Sequence, residues 1–140
     1  MSVEVMVEYE GNLRCRAFHG PSGTRIETDA PVDNFGKGER FSPTDLVATA
    51  LASCIVTTIG ILAQRKGWDV SGMRAKVVKE MSREGPRRIA RLPVELWIPA
   101  SLPPEARQQI EHAARACPVH KSIHPEIEAP VTIHWPPSAA

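Results

Sequence analysis

Two cysteines of this chain are placed where a thiol could do chemistry, Cys54 and Cys117. Cys54 lies in the middle of an uncharged stretch of eighteen residues, LVATALASCIVTTIGILA. A low-dielectric setting disfavours a thiolate, so burial alone predicts an inert packing residue there. Cys117 stands before Pro118 at the predicted start of a short helix, where free backbone N–H groups favour the thiolate. From the residues alone, Cys117 is therefore the more easily ionised thiol.

A metal site is the second kind of chemistry that these residues allow. Cys117, His120 and His124 have the spacing C-x2-H-x3-H, and Cys54 is available as a fourth ligand. Structural zinc sites usually draw paired ligands from two clusters, whereas here one cluster would give three ligands and the other only one. A Cys/His zinc site stays open as an alternative on this spacing.

The remaining cysteine and two further histidines are interpreted as structural. Cys15 lies between Arg14 and Arg16 in a predicted strand, so alternation places it on the opposite face from both arginines. His19 and His134 are predicted in a turn and at a strand edge. The chain has no glycine-rich phosphate loop, no G-x-S-x-G elbow and no H-E-x-x-H motif.

Length and composition indicate one soluble domain spanning residues 1–140. The 17 basic and 16 acidic side chains give a net charge of +1, which gives no reason to expect nucleic acid or an anionic membrane as a partner. The start, MSVEVMVEYE, alternates apolar and acidic residues and does not resemble a signal peptide, so we expect a cytoplasmic protein. Three cysteines, an odd number, do not suggest a disulfide framework.

The N-terminal part of the chain is predicted to form strands. Residues 3–9, 12–18 and 24–30 alternate apolar with polar positions, as half-buried strands do. Residues 31–40 contain two glycines and mixed charges and are predicted to form a loop.

The uncharged stretch is predicted to lie in a long helix. Ser42 has the type of an N-cap residue, Pro43 suits the first helical position, and Asp45 occupies the capping-box place. Gly67 after a basic last turn ending at Lys66 predicts the C-terminus. Eighteen uncharged residues are also near the lower limit for a membrane span, but the hydroxyls, the alanines and the charged flanks favour a helix enclosed by its own protein.

The C-terminal part mixes strands and helices. Residues 69–81 and 87–99 alternate like a long hairpin, with Pro93 marking an edge or a bulge. Residues 102–116 predict an amphipathic helix, and residues 129–135 predict a last strand.

Together these elements predict an α+β fold in which antiparallel sheets sheathe a long buried central helix. The apolar face of the second helix is predicted at Ile110, Ala113 and Ala114. One small sheet covers a helix on one side only, so we infer a two-fold homodimer in which sheets from both copies enclose the central helices.

Two segments together resemble the cysteine motifs of the OsmC/Ohr family: SPTDLVATALASC, which ends at Cys54, and ACPVHKSI, which contains Cys117. Their order and separation are similar to that family's, and the similarity extends over nearly the whole chain. The resemblance implies an intertwined homodimer that reduces organic hydroperoxides with a dithiol reductant and no cofactor. It also implies that Cys54 attacks the peroxide and that Cys117 resolves the resulting sulfenic acid into a disulfide.

The resemblance further implies an arginine beside the attacking thiol. We expect Arg14 in this role, ahead of Arg16 and Arg40. In the Ohr branch a glutamate two residues after the start of the helix motif holds this arginine, and Thr44 stands there in this chain. Asp45 follows one residue later and already has a role in the predicted capping box.

The absent glutamate at Thr44 favours an alternative function, a non-catalytic dimer that binds a small apolar or thiol-reactive molecule. In either case Phe35, Phe41 and Val119 stand beside the motifs and are expected to shape an apolar pocket. Such a pocket would prefer alkyl or lipid peroxides in the enzyme.

Overall fold

The computed structural model describes residues 1–99 and 101–137 of the chain. Over these residues the chain forms eight strands and three α-helices, in the order β1 Val5–Gly11, β2 Arg14–His19, β3 Arg25–Asp29, α1 Pro43–Lys66, β4 Arg74–Val77, β5 Glu80–Met81, β6 Ile89–Arg91, β7 Val94–Trp97, α2 Pro104–Arg115, α3 Pro118–Ser122 and β8 Val131–His134. A short 3₁₀ helix, Val32–Asn34, lies in the segment between β3 and α1. These elements belong to two compact units, Met1–Val47 and the chain from Ala48 onward. The predicted mixture of small sheets and helices is confirmed.

The N-terminal unit is an antiparallel sheet in the order β1-β2-β3, as the alternation predicted. Val7 pairs with Ala17, and Ala17 pairs with Ile26, so these three side chains share one face. The next row, in which Glu8 pairs with Arg16 and Arg16 with Glu27, lies on the other face and is charged. The sheet therefore has one apolar and one polar face.

The apolar face of this sheet is open in the single chain. Val7 is 58% exposed and Tyr9, on the same face, is 66% exposed. Within residues 1–47, all of which the structure describes, the only buried side chains are polar, those of Asp29 and Ser42. This unit has no apolar core of its own.

Helix α1 begins and ends where the sequence predicts. The Ser42 N–H donates to Asp45 Oδ2 at 2.9 Å, and the Asp45 N–H donates to Ser42 Oγ at 3.1 Å, which completes the capping box. At the other end Gly67 has a φ of +73°, and the Trp68 N–H donates to the Ala63 carbonyl at 2.9 Å. This six-to-one bond after a left-handed glycine is the Schellman arrangement.

One stripe of helix α1 is buried within the chain. Its buried residues recur at helical spacing and are Ala48, Leu51, Ala52, Ile55, Ile59 and Ala63. Apolar residues outside the stripe stay open, and Ile61 is 49% exposed. The helix, with a mean hydropathy of 2.2 over its most apolar window, is long and apolar enough to cross a membrane, a test that core helices of soluble proteins also pass. A helix covered on all sides is not present in the single chain and stays a prediction.

The predicted long hairpin forms, but it is divided into two pairings. Strand β4 pairs with β7, and the two-residue strand β5 pairs with β6. The break lies at Pro93, whose carbonyl accepts the Val78 N–H at 3.1 Å, and a proline has no N–H to continue a ladder. The interruption expected at this proline is confirmed.

One strand pairing differs from the expectation of antiparallel sheets. Strand β8 pairs with β7 in parallel, in the register Leu96 with Ile133, so the sheet has the order β4-β7-β8. Parallel neighbours need a long crossover, and helices α2 and α3 lie between these two strands in the chain. The sheet is therefore mixed.

The apolar core lies in the C-terminal unit. Strand β7 and the residue after it bury Val94, Leu96 and Ile98 on one face. Helix α2 buries Ala106, Ile110 and Ala114 at helical spacing. The predicted face of α2 included Ala113, which is only half-buried. The buried face of α2 therefore differs only slightly from the predicted face, and Ile110 belongs to both.

Candidate functional site

Cys117 occupies the N-cap of helix α3, the position that the sequence predicts. Its backbone is extended, with φ −70° and ψ 143°, and Pro118 follows as the first helical residue. The Cys117 sulfur accepts the His120 N–H at 3.3 Å. Unlike an exposed capping residue, Cys117 is fully buried, with 0% of its surface accessible.

Cys54 lies in the middle of helix α1, in the same unit as Cys117. Its thiol is close enough to Cys117 to raise the pKa of that residue, and both cysteines are free thiols. The fold thus makes neighbours of two sulfurs that lie far apart in the sequence. A disulfide between them requires the thiols to approach further and lose two electrons.

The ionisation of Cys117 differs from the expectation drawn from its helix position. Burial raises the pKa of Cys117, the neighbouring Cys54 thiol raises it further, and the His120 N–H only partly opposes these effects. The expectation that a helix start makes the Cys117 thiol easy to ionise is therefore wrong. Local reasoning counted the helix N-terminus but not the burial of the sulfur.

The two thiols also differ in their exposure to solvent. Cys54 is half-buried at the border of the buried stripe of α1, next to exposed Ser53, whereas Cys117 is enclosed. The helix is continuous through this point, and the Thr58 hydroxyl donates to the Cys54 carbonyl at 2.8 Å. Cys54 is therefore the more exposed of the two thiols.

Arg14 lies in the N-terminal unit and is held by two carboxylates. Its Nε and Nη2 donate to Oδ1 and Oδ2 of Asp29 at 2.6 and 2.8 Å, and Nη2 also donates to Glu39 Oε1 at 3.0 Å. The hydrogen bonds with Asp29 are the main reason why the pKa of Arg14 is raised and that of Asp29 is lowered. The arginine is charged and oriented.

Sequence reasoning missed both of these carboxylates. Arg14 and Asp29 stand directly opposite each other in the β2–β3 register, and that register was the only available signal. Asp45 serves the capping box as expected, and Thr44 Oγ1 lies 3.2 Å from Ser42 Oγ. Asp29, and not a residue at the helix start, gives Arg14 its bidentate partner.

The other two arginine candidates are more exposed. Arg16 pairs with Glu10 at 2.6 Å, and Arg40 pairs with Glu27 at 3.5 Å, and the side chains of both arginines are more than 40% exposed. That of Arg14 is 21% exposed. Among the three, Arg14 has the most defined orientation.

The predicted zinc ligands do not form a cluster. Within residues 1–99 and 101–137, no three His, Cys, Asp or Glu side chains come close enough to hold a metal ion. His124 Nδ1 instead accepts the Glu126 N–H at 3.1 Å. The structure gives the zinc alternative no support.

The residues interpreted as structural have structural contacts. His19 is the last residue of strand β2 and not a turn residue, and its Nδ1 is 2.5 Å from Ser22 Oγ in the turn that follows. His134 on edge strand β8 stacks on Trp97, and its Nε2 is 2.9 Å from Glu95 Oε2. Cys15 pairs with Tyr9 and is half-buried on the apolar face of its sheet.

The expected apolar pocket is not assembled from these residues within either unit. Phe35 is 91% exposed, with a left-handed φ of +68°, and Phe41 is 54% exposed. Val119, in helix α3 of the other unit, is half-buried. A pocket shaped by these side chains stays a prediction.

Comparison with known proteins shows the family to which this chain belongs. The OsmC-like protein family model matches residues 36–132, so the chain belongs to the OsmC-like family. A crystal structure from Psychrobacter arcticus 273-4 is 46% identical, with a TM-score of 0.88 over 93% of this chain and 94% of that one. Its assigned role, in osmotic stress induction and detoxification response, is provisional.

More distant structures show that the fold is shared. An organic hydroperoxide resistance protein OsmC from Legionella pneumophila is 16% identical, with a TM-score of 0.72 over 95% of this chain and 96% of that one. The organic hydroperoxide resistance protein OhrB of Bacillus subtilis is 14% identical, with a TM-score of 0.68 over 96% and 98% of the two chains. A search of curated proteins gave no match.

Proposed function

We propose that this protein is a thiol peroxidase that reduces organic hydroperoxides to alcohols. The observation that carries the proposal is that a half-buried Cys54 is near enough to a fully buried Cys117, inside one unit, to raise the pKa of Cys117. A nucleophile must be reached by its substrate, whereas a resolving thiol needs only to reach the nucleophile. Membership of the OsmC-like family, and the printed names of the Legionella and Bacillus structures, support hydroperoxides as the substrate class.

The proposed reaction uses two thiols of the protein and one external dithiol reductant. The Cys54 thiolate attacks the distal oxygen of R–O–O–H, the O–O bond breaks, and the alkoxide takes a proton from water and leaves as R–OH. Cys54 is then a sulfenic acid. The Cys117 sulfur attacks Cys54 Sγ, water leaves, and a Cys54–Cys117 disulfide forms. A dithiol reductant reopens it by two thiol–disulfide exchanges and is itself oxidised to a disulfide.

We assign Arg14 the task of favouring the Cys54 thiolate. A nearby positive charge offsets the cost of placing an anion in an apolar helix environment. The role requires Arg14 of the same chain or of a partner copy to reach Cys54 in the assembled protein. Its support is the two-point bond of the Arg14 guanidinium to Asp29, whereas the side chains of Arg16 and Arg40 are more exposed.

The assembly that we propose is a homodimer. Its support is the apolar surface that the single chain leaves open, on the β1-β2-β3 sheet at Val7 and on α1 outside its buried stripe at Ile61. A three-stranded sheet without a covered face is marginal in water, so a second copy would stabilise the N-terminal unit.

The alternative function, a binding module without catalysis, loses its main argument. It rested on Thr44 in place of a carboxylate that holds the arginine. Asp29 and Glu39 hold Arg14 in this chain, so an uncharged residue at Thr44 does not leave the arginine unsupported.

Turnover of cumene hydroperoxide with dithiothreitol tests the proposed reaction. We expect steady consumption by the wild type, and a loss of at least about a hundredfold for Cys54→Ser, because the nucleophile is gone. Cys117→Ser should allow one fast oxidation of Cys54 and then slow turnover. Cys15→Ser is the matched control and should keep full activity. Turnover that is equal in wild type and Cys54→Ser contradicts the proposal.

Sedimentation equilibrium tests the dimer. We expect twice the chain mass for the wild type and a shift toward the monomer for Val7→Asp, since a charge on the apolar sheet face opposes its burial. Glu8→Gln on the opposite face of β1 is the control and should stay dimeric. A monomeric wild type at micromolar concentration contradicts this assembly.

A further inference from the structure

A hydroxyl lies against an imidazole in the turn between β2 and β3. Ser22 Oγ is 2.5 Å from Nδ1 of His19, the last residue of β2. A serine hydroxyl beside a ring nitrogen of histidine is the pair that makes serine a nucleophile in covalent catalysis. Both residues belong to the Met1–Val47 unit, so the pair is complete within one unit and includes neither Cys54 nor Cys117.

The proton of this contact belongs to the hydroxyl. The Ser22 N–H donates to the same His19 Nδ1 at 3.3 Å, so Nδ1 presents its lone pair and not a proton. Two lone pairs at 2.5 Å would repel each other, and the Ser22 proton must therefore lie between Oγ and Nδ1. The neutral imidazole then has its own proton on Nε2. His19 is the base of the pair, and Ser22 is the nucleophile.

The other side of the Ser22 oxygen is supported by Thr24. The Thr24 N–H donates to Ser22 Oγ at 3.2 Å, and Thr24 Oγ1 lies 2.8 Å from the same oxygen. Donors aimed at an oxygen that gains negative charge stabilise the transition state. As the Ser22 proton moves to His19, the Thr24 N–H stabilises the charge that is left on Oγ.

Backbone hydrogen bonds hold the turn in this shape. The His19 N–H donates to the Thr24 carbonyl at 2.9 Å, and the Gly23 N–H donates to the His19 carbonyl at 2.7 Å. The Gly20 N–H donates to the Glu4 carbonyl at 2.9 Å, and a Cβ at Gly20 would come within 2.6 Å of that oxygen. The nucleophile and the base are therefore held together before any substrate arrives, which lowers the entropic cost of the reaction.

We propose that Ser22 is a site of covalent acylation, at which His19 acts as general base toward small activated acyl donors. Residues 19–24 are all exposed, so the hydroxyl is open to donors such as aryl esters, thioesters and acyl phosphates. An exposed turn makes few contacts with a substrate, so the reaction depends on a donor with a good leaving group.

The proposed step transfers an acyl group from R–CO–X to the protein. Ser22 Oγ attacks the carbonyl carbon, and its proton moves to His19 Nδ1. The tetrahedral intermediate collapses, the C–X bond breaks, and the proton passes from Nδ1 to X. The products are a Ser22 ester and H–X, and His19 is again neutral. The step needs no oxidant or reductant, and it is independent of the proposed peroxidase chemistry.

Acetylation of the whole protein by p-nitrophenyl acetate, followed by peptide mass spectrometry, tests the proposal. Mapping separates Ser22 from the thiols and amines that the reagent also acetylates. The internal control is Ser71, an exposed turn serine whose side chain bonds the Asp69 carboxylate and lowers the pKa of that carboxyl, so its neighbour is a weak base. We expect Ser22 to be acetylated at least about a hundredfold faster than Ser71, the lower end of the range for a positioned base. Equal rates overturn the proposal.

Two substitutions separate a base from a neighbour that only shapes the turn. His19→Gln keeps a hydrogen-bonding side chain but removes the base, so acetylation of Ser22 should fall to the rate of Ser71. His134→Gln, at the end of β8, replaces a histidine that contacts a carboxylate, and it should leave the rate at Ser22 unchanged. A His19→Gln protein that is acetylated at Ser22 as fast as the wild type overturns the proposal.

A solvent isotope comparison needs only the wild type, so it decides even if a variant does not fold. Deuterium oxide should slow acetylation of Ser22 more than that of Ser71, because a proton moves to the base in the transition state. Equal slowing of the two serines overturns the assignment of His19 as the base.

Discussion

The two units of this chain handle their apolar side chains in opposite ways. The C-terminal unit buries its own, with Leu51, Leu96 and Ile110 all at 0% exposure. The N-terminal unit buries only the polar side chains of Asp29 and Ser42 and leaves an apolar sheet face open. The unit with Cys54 and Cys117 is therefore stabilised by its own apolar core. The unit with Arg14 is stabilised by polar contacts and by burial of its open sheet face in an assembly.

This difference separates two requirements of the proposed chemistry. Two sulfurs that must form and break a bond benefit from a packed core, because packing keeps their geometry constant between turnovers. An activating cation needs only a fixed direction, which the Asp29 fork gives Arg14 without an apolar core. If the open sheet face is covered by a second copy, activation of the thiol becomes linked to assembly.

A valine-to-threonine substitution placed in each unit tests this difference most directly. Val94→Thr should lower the free energy of unfolding by about 1–3 kcal/mol, because it places a hydroxyl in a buried site. Val7→Thr keeps the shape and the strand preference at an exposed position, so in dilute protein it should cost no more than about 0.5 kcal/mol. Urea unfolding at several protein concentrations measures both effects. Equal losses at the lowest concentration would show that the N-terminal unit has a core after all.

Ser42→Ala tests how far the N-terminal unit supports the rest of the chain. Ser42 caps helix α1, which continues into the C-terminal unit, and the loss of such a cap costs about 1 kcal/mol. Thermal unfolding should show a lower midpoint. Ser53→Ala, at an exposed position inside the same helix, is the control and should be neutral or slightly stabilising. A neutral Ser42→Ala would mean that the capping box contributes nothing to this helix.

Acidification should show that the Arg14–Asp29 pair stabilises the N-terminal unit. Arg14 lowers the folded-state pKa of Asp29 below its unfolded value of about 3.9. The stability that it contributes is therefore present above about pH 4 and is lost as the pH falls through the folded pKa. Relative to Asp29→Asn, the wild type should be more stable near pH 7 and lose that advantage below about pH 4. Unfolding curves that stay parallel down to pH 2 would contradict this.

Local sequence signals predicted the elements of this chain well. Both ends of helix α1 follow from short motifs, the Ser42 to Asp45 capping box and Gly67, because each acts within a few residues. The long hairpin and its break at Pro93 follow for the same reason. The parallel pairing of β8 with β7 was missed, since alternation identifies a strand but not its neighbour.

The site was predicted in part. Family resemblance pointed to Cys54 and Cys117, and in the structure Cys54 lies near enough to Cys117 to raise the pKa of that thiol. The prediction that Cys117 ionises easily was wrong, because it considered the helix start and not the burial of the sulfur, which raises its pKa. The Arg14–Asp29 pair was missed because it depends on the register of two strands, which no local motif encodes.

The most direct test of the central claim is peptide mass spectrometry after one equivalent of cumene hydroperoxide, without reductant. We expect a disulfide between Cys54 and Cys117, with Cys15 still a free thiol, and reversal by dithiothreitol. In Cys117→Ser the same treatment should leave a sulfenic acid on Cys54, which dimedone traps. Oxidation that falls on Cys15 alone, or that leaves Cys54 untouched, would contradict the account.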